Sequence, residues 1–180
     1  PSNIWIKMDL RDWAPEKPGD LLYSNAVFQW IGSHETLLYR LLSHVRVGGV
    51  LAFQLPRNWN AQSHKGLREL AAKSNHRERL EEYLLKNPVG SPEDYYDLLR
   101  PYVDNIDIWE TEYLQALEGE NAVAEWVRGS ALKPLLDVLD ETEAKEFYAN
   151  YVNYIKNFYP QRSDGKTLYP FRRVFVIARR

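Results

Sequence analysis

The sequence predicts an α/β protein built on a mostly parallel sheet, and three observations predict it. Val50 to Leu55 is a continuous apolar run of strand length, the pattern of a strand covered on both faces. Just before it, Leu37, Leu38, Leu41, Leu42 and Val45 recur at helical spacing. Beyond both, the chain goes on alternating strand-like and helical segments and closes on a β-branched run, Val174 to Ala178. In open sheets of this kind ligands bind past the carboxyl ends of strands. Those ends are therefore where function is to be sought.

Taken in order, Ile4 to Leu10 reads as a short buried strand ending in Asp9. Pro15, Pro18 and Gly19 make the next stretch a loop. Leu21 to Val27 is a second strand. Ser33 is placed to cap the leucine-rich helix, and Gly48-Gly49 to stop it. Pro56 to Lys86 is polar, with a helical second half. Ser91-Pro92-Glu93-Asp94 carries an N-cap, a first-turn proline and an acid at the third position, so a helix starts there. Asn105 to Leu117 reads as a long strand, and Ala122 to Val127 as a short helix. Asp140 and Glu143 form a second capping box, opening a helix with Phe147, Tyr148, Tyr151, Val152, Ile155, Phe158 and Tyr159 on one face.

Composition narrows the chemistry. The 180 residues fit one ordinary domain, and 25 acids against 23 bases give a net charge of −2, so no global field recruits nucleic acid or an anionic membrane. With no cysteine, disulfides, thiol catalysis and cysteine-based zinc sites are excluded. The histidines, at 34, 44, 64 and 76, include no helical metal pair, and no phosphate-loop, dinucleotide or serine-hydrolase motif is present. No apolar run reaches membrane-spanning length, and no basic-then-apolar leader opens the chain. The expectation is a soluble, cytoplasmic protein without metal, nucleic acid or membrane partner. Pro1, with strand-like sequence starting at Ile4, suggests a chain that was processed or is a piece of a longer one.

The strand ends supply the candidates. Asp9 can accept from an amine while Leu10 offers an apolar wall, a pair suited to a purine; the plainer reading is an acid capping a loop. Asn25 to Trp30 puts an amide, a small residue and a large aromatic at a strand-to-helix junction. Trp30 closes a pocket there or, with Phe28, belongs to the core. Gln54, Pro56 and Trp59 stand at and beyond the end of the apolar run, and a buried Gln needs a partner; the alternative is a polar strand end meeting water. Arg128, Lys133, Arg172 and Arg173 are the candidate anion binders.

Asp9-Leu10-Arg11-Asp12-Trp13, Ser24-Asn25-Ala26-Val27-Phe28-Gln29-Trp30, Val47 to Pro56 with Asn58-Trp59, and Pro170 to Arg179 together resemble the S-adenosylmethionine-dependent methyltransferases. The resemblance implies a partial Rossmann-like methyltransferase sheet, mostly parallel, with helical cap insertions at about 60–90 and 119–160, as one truncated domain over 1–180. It implies Asp9 and Leu10 at the adenine, Asn25 near the methionine part of the cofactor with Trp30 beside it, and Gln54, Pro56 and Trp59 lining the acceptor pocket. Arg128, Lys133 and Arg172 would hold a polycarboxylate. The family's glycine-rich loop and its ribose-binding acid have no counterpart here, so the implied S-adenosyl-L-methionine site is incomplete.

The implied reaction is attack of a small organic carboxylate on the sulfonium methyl, giving a methyl ester. A carboxylate is already ionised at neutral pH, so no general base, and hence no catalytic side chain, is assigned. The chain alone is then expected to be inactive. The alternative is a non-catalytic fragment that binds small anions or self-associates. Without the strands that separate them in the family, Ile4 to Leu10 is expected to pair beside Leu21 to Val27 or to join a homodimer through the exposed strand edge.

Overall fold

The structure, a computed structural model, describes residues 4–83 and 87–180. The end of the polar stretch that closes at Lys86 lies outside the described residues. Four strands form one sheet: β1 (Gly19–Asn25), β2 (Val45–Pro56), β3 (Asn105–Leu117) and β4 (Thr167–Arg179), in the order β1-β2-β4-β3. The helices are α1 (His34–Ser43), α2 (Gln62–Lys73), α3 (Arg77–Leu80), α4 (Pro92–Leu99), α5 (Ala122–Arg128), α6 (Lys133–Asp137) and α7 (Glu141–Ile155).

The α/β class holds, but the sheet is mixed rather than mostly parallel. β1 and β2 are parallel. β4 runs against β2, since the Gly48 N–H donates to the Arg180 carbonyl at one end and the Arg57 N–H to the Arg172 carbonyl at the other. The apolar run in β2 reports burial on both faces and carries no information about the direction of the strand that covers its edge. Val174 and Val176 are fully buried in that antiparallel neighbour.

Ile4 to Leu10 is not a strand. Residues 4–9 have no regular structure, and Ile4, Trp5, Ile6 and Met8 are exposed, Trp5 to 90%. Apolar composition makes a strand only where a neighbour takes up its backbone groups, and among the described residues no strand lies beyond β1. β1 is consequently the edge of the sheet, with Leu21 and Tyr23 exposed. Direct pairing of these two segments, expected from the sequence, does not occur.

Gly48-Gly49 also plays another part than a helix stop. α1 ends at Ser43, and both glycines lie inside β2. Gly48 has φ +78°, a conformation that favours glycine. A Cβ on Gly49 would stand 2.8 Å from Val45 Cγ1 and 2.9 Å from the Asp20 carbonyl oxygen. The register jumps here, from Gly19 opposite Val45 to Leu21 opposite Val50, so the glycines absorb an irregularity in the ladder. Ser33 stands at the start of α1 with φ 59° and makes no side-chain cap.

The chain divides into two compact units. The first comprises residues up to 55, 90–110 and 174–180. Its core holds Phe28, Leu38, Leu41, Leu51, Phe53, Tyr95 and Leu99. Phe53 contacts Phe28 and Tyr95, with ring centroids 5.3 and 5.5 Å apart. α4 opens on the expected capping box, Ser91 with Asp94. The second comprises 56–89 and 111–173, with α2, α3 and α5 to α7. Leu67, Leu80, Val127, Leu132, Leu135, Phe147, Tyr151, Ile155 and Tyr169 pack in one cluster there. α7 opens on the Asp140–Glu143 box, and Phe147, Tyr151, Val152 and Ile155 form its buried stripe, while Phe158, past its end, is exposed.

Candidate functional site

In the first unit two of the expected residues come together. Asn25 and Gln54 end β1 and β2, and they are register partners. The Gln54 Nε2 donates to Asn25 Oδ1, and the Ala26 N–H donates to the Gln54 carbonyl at 3.0 Å. Gln54 is buried and Asn25 exposed, so the buried amide's partner is the other amide at the mouth of the sheet. The chain then turns sharply: Ala26 has φ 54°, a strained value for a residue with a Cβ. A 3₁₀ turn, Phe28–Trp30, follows.

That turn separates its two aromatics. Phe28 is fully buried, whereas Trp30 is 62% exposed and thus not a core residue. The Phe28 carbonyl is held by His34 Nε2 at 2.7 Å, and His34 Nδ1 meets the Tyr95 hydroxyl at 2.8 Å. Gln29 donates to the Ala26 carbonyl at 2.8 Å. The Gln29 Oε1 and the Ser24 hydroxyl are both buried without a partner among the described residues. Oxygen acceptors thus gather at the end of β1 and in the turn after it, and two of them have no partner among the described residues.

Asp9 and Leu10 lie in an exposed turn before β1. Both Asp9 oxygens are engaged by Arg11, through Nε at 3.0 Å and Nη2 at 2.6 Å. The Arg11 side chain holds the Asp9 carboxyl down at about 2. The Leu10 and Trp13 carbonyls accept from the Arg40 guanidinium of α1 at 2.5 and 2.6 Å. As placed, a ligand's amine at Asp9 shares the carboxylate with Arg11.

In the second unit Pro56 and Trp59 are half-buried. Asn58, between them and buried, accepts from the Arg172 N–H at 3.0 Å, which pins the chain after β2 to β4. The three expected cap cations each hold a carboxylate: Arg128 pairs with Glu125 at 3.6 Å, Lys133 with Asp137 at 2.7 Å and Arg172 with Glu112 at 3.0 Å. Arg128 also lies over the Tyr148 ring, and Arg173 over Phe171. These pairs are half-exposed, so each contributes at most about 1 kcal/mol.

A denser arrangement centres on Ser63, which the sequence reading passed over. Ser63 is fully buried in the first turn of α2, and three tyrosines grip it. Its N–H donates to the Tyr159 hydroxyl at 3.2 Å, its carbonyl accepts from Tyr151 at 3.1 Å, and its hydroxyl meets Tyr169 at 3.1 Å and His64 Nδ1 at 3.0 Å. Burial pushes Tyr169 up to about 12 and raises Tyr151 further still. Burial, with Arg68 nearby, pushes His64 down to about 4. His64 therefore stays neutral at physiological pH. The available signal was His64 and Arg68 at one-turn spacing directly after Trp59.

No protein-family model matches the chain. Among curated proteins it is similar to trans-aconitate 2-methyltransferases. It is 43% identical over 178 residues to that of Azoarcus sp. (strain BH72), which covers 99% of this chain and 70% of the relative. It is 40% identical over 184 residues to that of Paracidovorax citrulli (strain AAC00-1), covering 100% and 70%. It is 37% identical over 179 residues to that of Yersinia pestis (strain Pestoides F), covering 99% and 69%. Among solved structures, Haemonchus contortus phosphoethanolamine N-methyltransferase 2 aligns at 10% identity and a TM-score of 0.44, over 95% of this chain and 36% of that one. Coclaurine N-methyltransferase aligns at 11% identity and 0.37, over 96% and 51%. Likeness at that level adds nothing beyond the relatives.

Proposed function

The chain belongs to the trans-aconitate 2-methyltransferase family of S-adenosylmethionine-dependent methyltransferases, and from that membership we propose that it works on a small carboxylic acid such as trans-aconitate, forming its methyl ester. The observation that carries the reading is identity of 37–43% across 99% or more of the chain with relatives of that one activity. S-Adenosylmethionine supplies the electrophilic methyl group.

What the residues do follows from their chemistry. The cofactor's amino-acid end is cationic at its ammonium and sulfonium. The end of β1 and the turn after it, with the Ser24 hydroxyl and Gln29 Oε1 unpartnered among the described residues and Asn25 Oδ1 shared with Gln54, suit positive charge. Exposed Trp30 offers a face to a sulfonium or ammonium. Asp9 would serve the adenine end while sharing its carboxylate with Arg11. The acceptor acid is ionised without help, so the protein's part is to position it and exclude water rather than to take a proton. At this step the 180 residues are silent alone, because the glycine-rich backbone N–H groups that the family uses at the cofactor are not among them. Self-association through the exposed edge of β1 remains the second reading, favoured by Leu21, Tyr23 and the exposed residues 4–8.

The test is radiolabelled methyl transfer to a panel of acids, amines and alcohols. It uses the 180-residue chain and the same chain joined to the part of the Azoarcus relative outside the matched region. The joined chain should methylate trans-aconitate and the short chain should not. Transfer by the joined chain to amines or alcohols but not to carboxylates would overturn the reading.

A further inference from the structure

The fixed tautomer of His64 and the unpaired charge of Arg68 point to a ligand. Both lie on α2 one turn apart, so their side chains share a face. The Arg68 guanidinium sits 4.2 Å over the Trp59 ring and gives one N–H to the Trp59 carbonyl at 2.8 Å. Among the described residues no carboxylate pairs with it, in contrast to Arg128, Lys133 and Arg172. Partial burial lowers its pKa, and the charge of neighbouring Glu69 offsets part of that without pairing with the guanidinium.

The proton on His64 can be placed by accounting for every hydrogen around Ser63. The Tyr169 hydroxyl is fully buried, and Ser63 is its partner among the described residues. If Ser63 donated to Tyr169, the phenolic proton would be left without an acceptor, at about 1–3 kcal/mol. Tyr169 therefore donates to Ser63, and Ser63 donates to His64 Nδ1. The imidazole proton is then on Nε2, for which no partner is found among the described residues. The tyrosines that clamp the Ser63 backbone fix the ring's position as well as its tautomer.

We propose that His64 Nε2–H and the Arg68 guanidinium, beside Trp59, form a carboxylate-binding subsite, each taking an oxygen of one carboxylate of the acceptor acid. The assignment rests on the methyltransferase reading for the identity of the acid, though not for the geometry. A neutral donor beside a single cation matches the one charge and two oxygens of a carboxylate, whereas a phosphate dianion would leave charge uncompensated. Since His64 stays neutral well below pH 6, the subsite keeps its donor across the physiological range.

Nitrogen-15 spectra of the histidine-labelled 180-residue chain test this without any turnover. At pH 7 the His64 ring should show the neutral Nε2–H tautomer, and titration with trans-aconitate should shift that resonance while inorganic phosphate should not. The Nδ1–H tautomer, an unmoved resonance at saturating tricarboxylate, or an equal response to phosphate would each overturn the subsite. Both readings come from the unmutated chain, so the folding of a variant does not enter. In the joined chain, His64→Phe should then raise the KM for trans-aconitate roughly tenfold, with cofactor affinity unchanged and His64→Gln restoring part of the loss. Ester formation with an unmoved His64 resonance would sink the subsite alone. A shifted resonance without ester formation would sink the proposed reaction and leave the subsite standing.

Discussion

Protonating His64 would place a second positive charge beside Arg68 and strip Ser63 of its acceptor, so the folded protein resists it. The unfolded chain does not, and its imidazole titrates near 6.5. Between about pH 6.5 and 4 the unfolded state therefore binds the extra proton, and stability falls as the pH falls. From this group alone the loss is roughly 2 kcal/mol by pH 5 relative to pH 7. Urea unfolding at both pH values should show a smaller loss in His64→Gln than in the unmutated chain; equal losses would mean that His64 is not held neutral. Gly49 gives a second prediction. Two of the three atoms crowding its absent Cβ are backbone oxygens, at 2.9 and 3.0 Å, and cannot step aside as a side chain does. Gly49→Ala should cost about 1–3 kcal/mol in the same assay, and an unchanged midpoint would show that β2 relaxes there freely.

At the level of elements, what was legible was what depends on neighbours in sequence. The boxes at Ser91 and Asp140 are local devices, and both form as read. Asp140 accepts from the Thr142 and Glu143 N–H groups at 2.9 Å, so Asp140→Ala should lower stability by about 1 kcal/mol, with helix content at α7 tracking it by circular dichroism. A change below a few tenths would mean that packing of Phe147 and Tyr151 alone sets that terminus. What stayed hidden depends on partners far along the chain. Ile4 to Leu10 has a strand's composition but no neighbouring strand, β4 gives no sign of its direction, and α6 is too short for periodicity to reveal. The candidate site divides along the same line. Asn25 and Gln54 were legible as strand ends, but their mutual hydrogen bond was not. The cap cations were visible as charges, and Glu125 and Asp137 stand at one-turn spacing from Arg128 and Lys133, within reach of a sequence reading; Glu112, which occupies Arg172, was visible only in space. Ser63 and His64 looked like ordinary polar residues until Tyr151, Tyr159 and Tyr169 arrived from distant parts of the chain.

For the molecule as a whole, Ile4, Trp5, Ile6, Met8 and the β1 edge leave apolar side chains exposed, which is what the second reading, self-association, draws on. Replacing Ile4, Trp5, Ile6 and Met8 together by Ser should change stability by less than about 0.5 kcal/mol, as for exposed side chains. A loss of several times that, with a smaller species on gel filtration, would show that a second copy covers them. The central claim concerns the acceptor: a small carboxylate is methylated, and Arg68 rather than the paired cap cations anchors it. Steady-state kinetics of the joined chain with trans-aconitate tests it most directly. The account predicts that Arg68→Gln raises the acceptor KM roughly tenfold or more and leaves S-adenosylmethionine affinity as it was. An acceptor KM that moves in Arg128→Gln and stays within twofold in Arg68→Gln would contradict it.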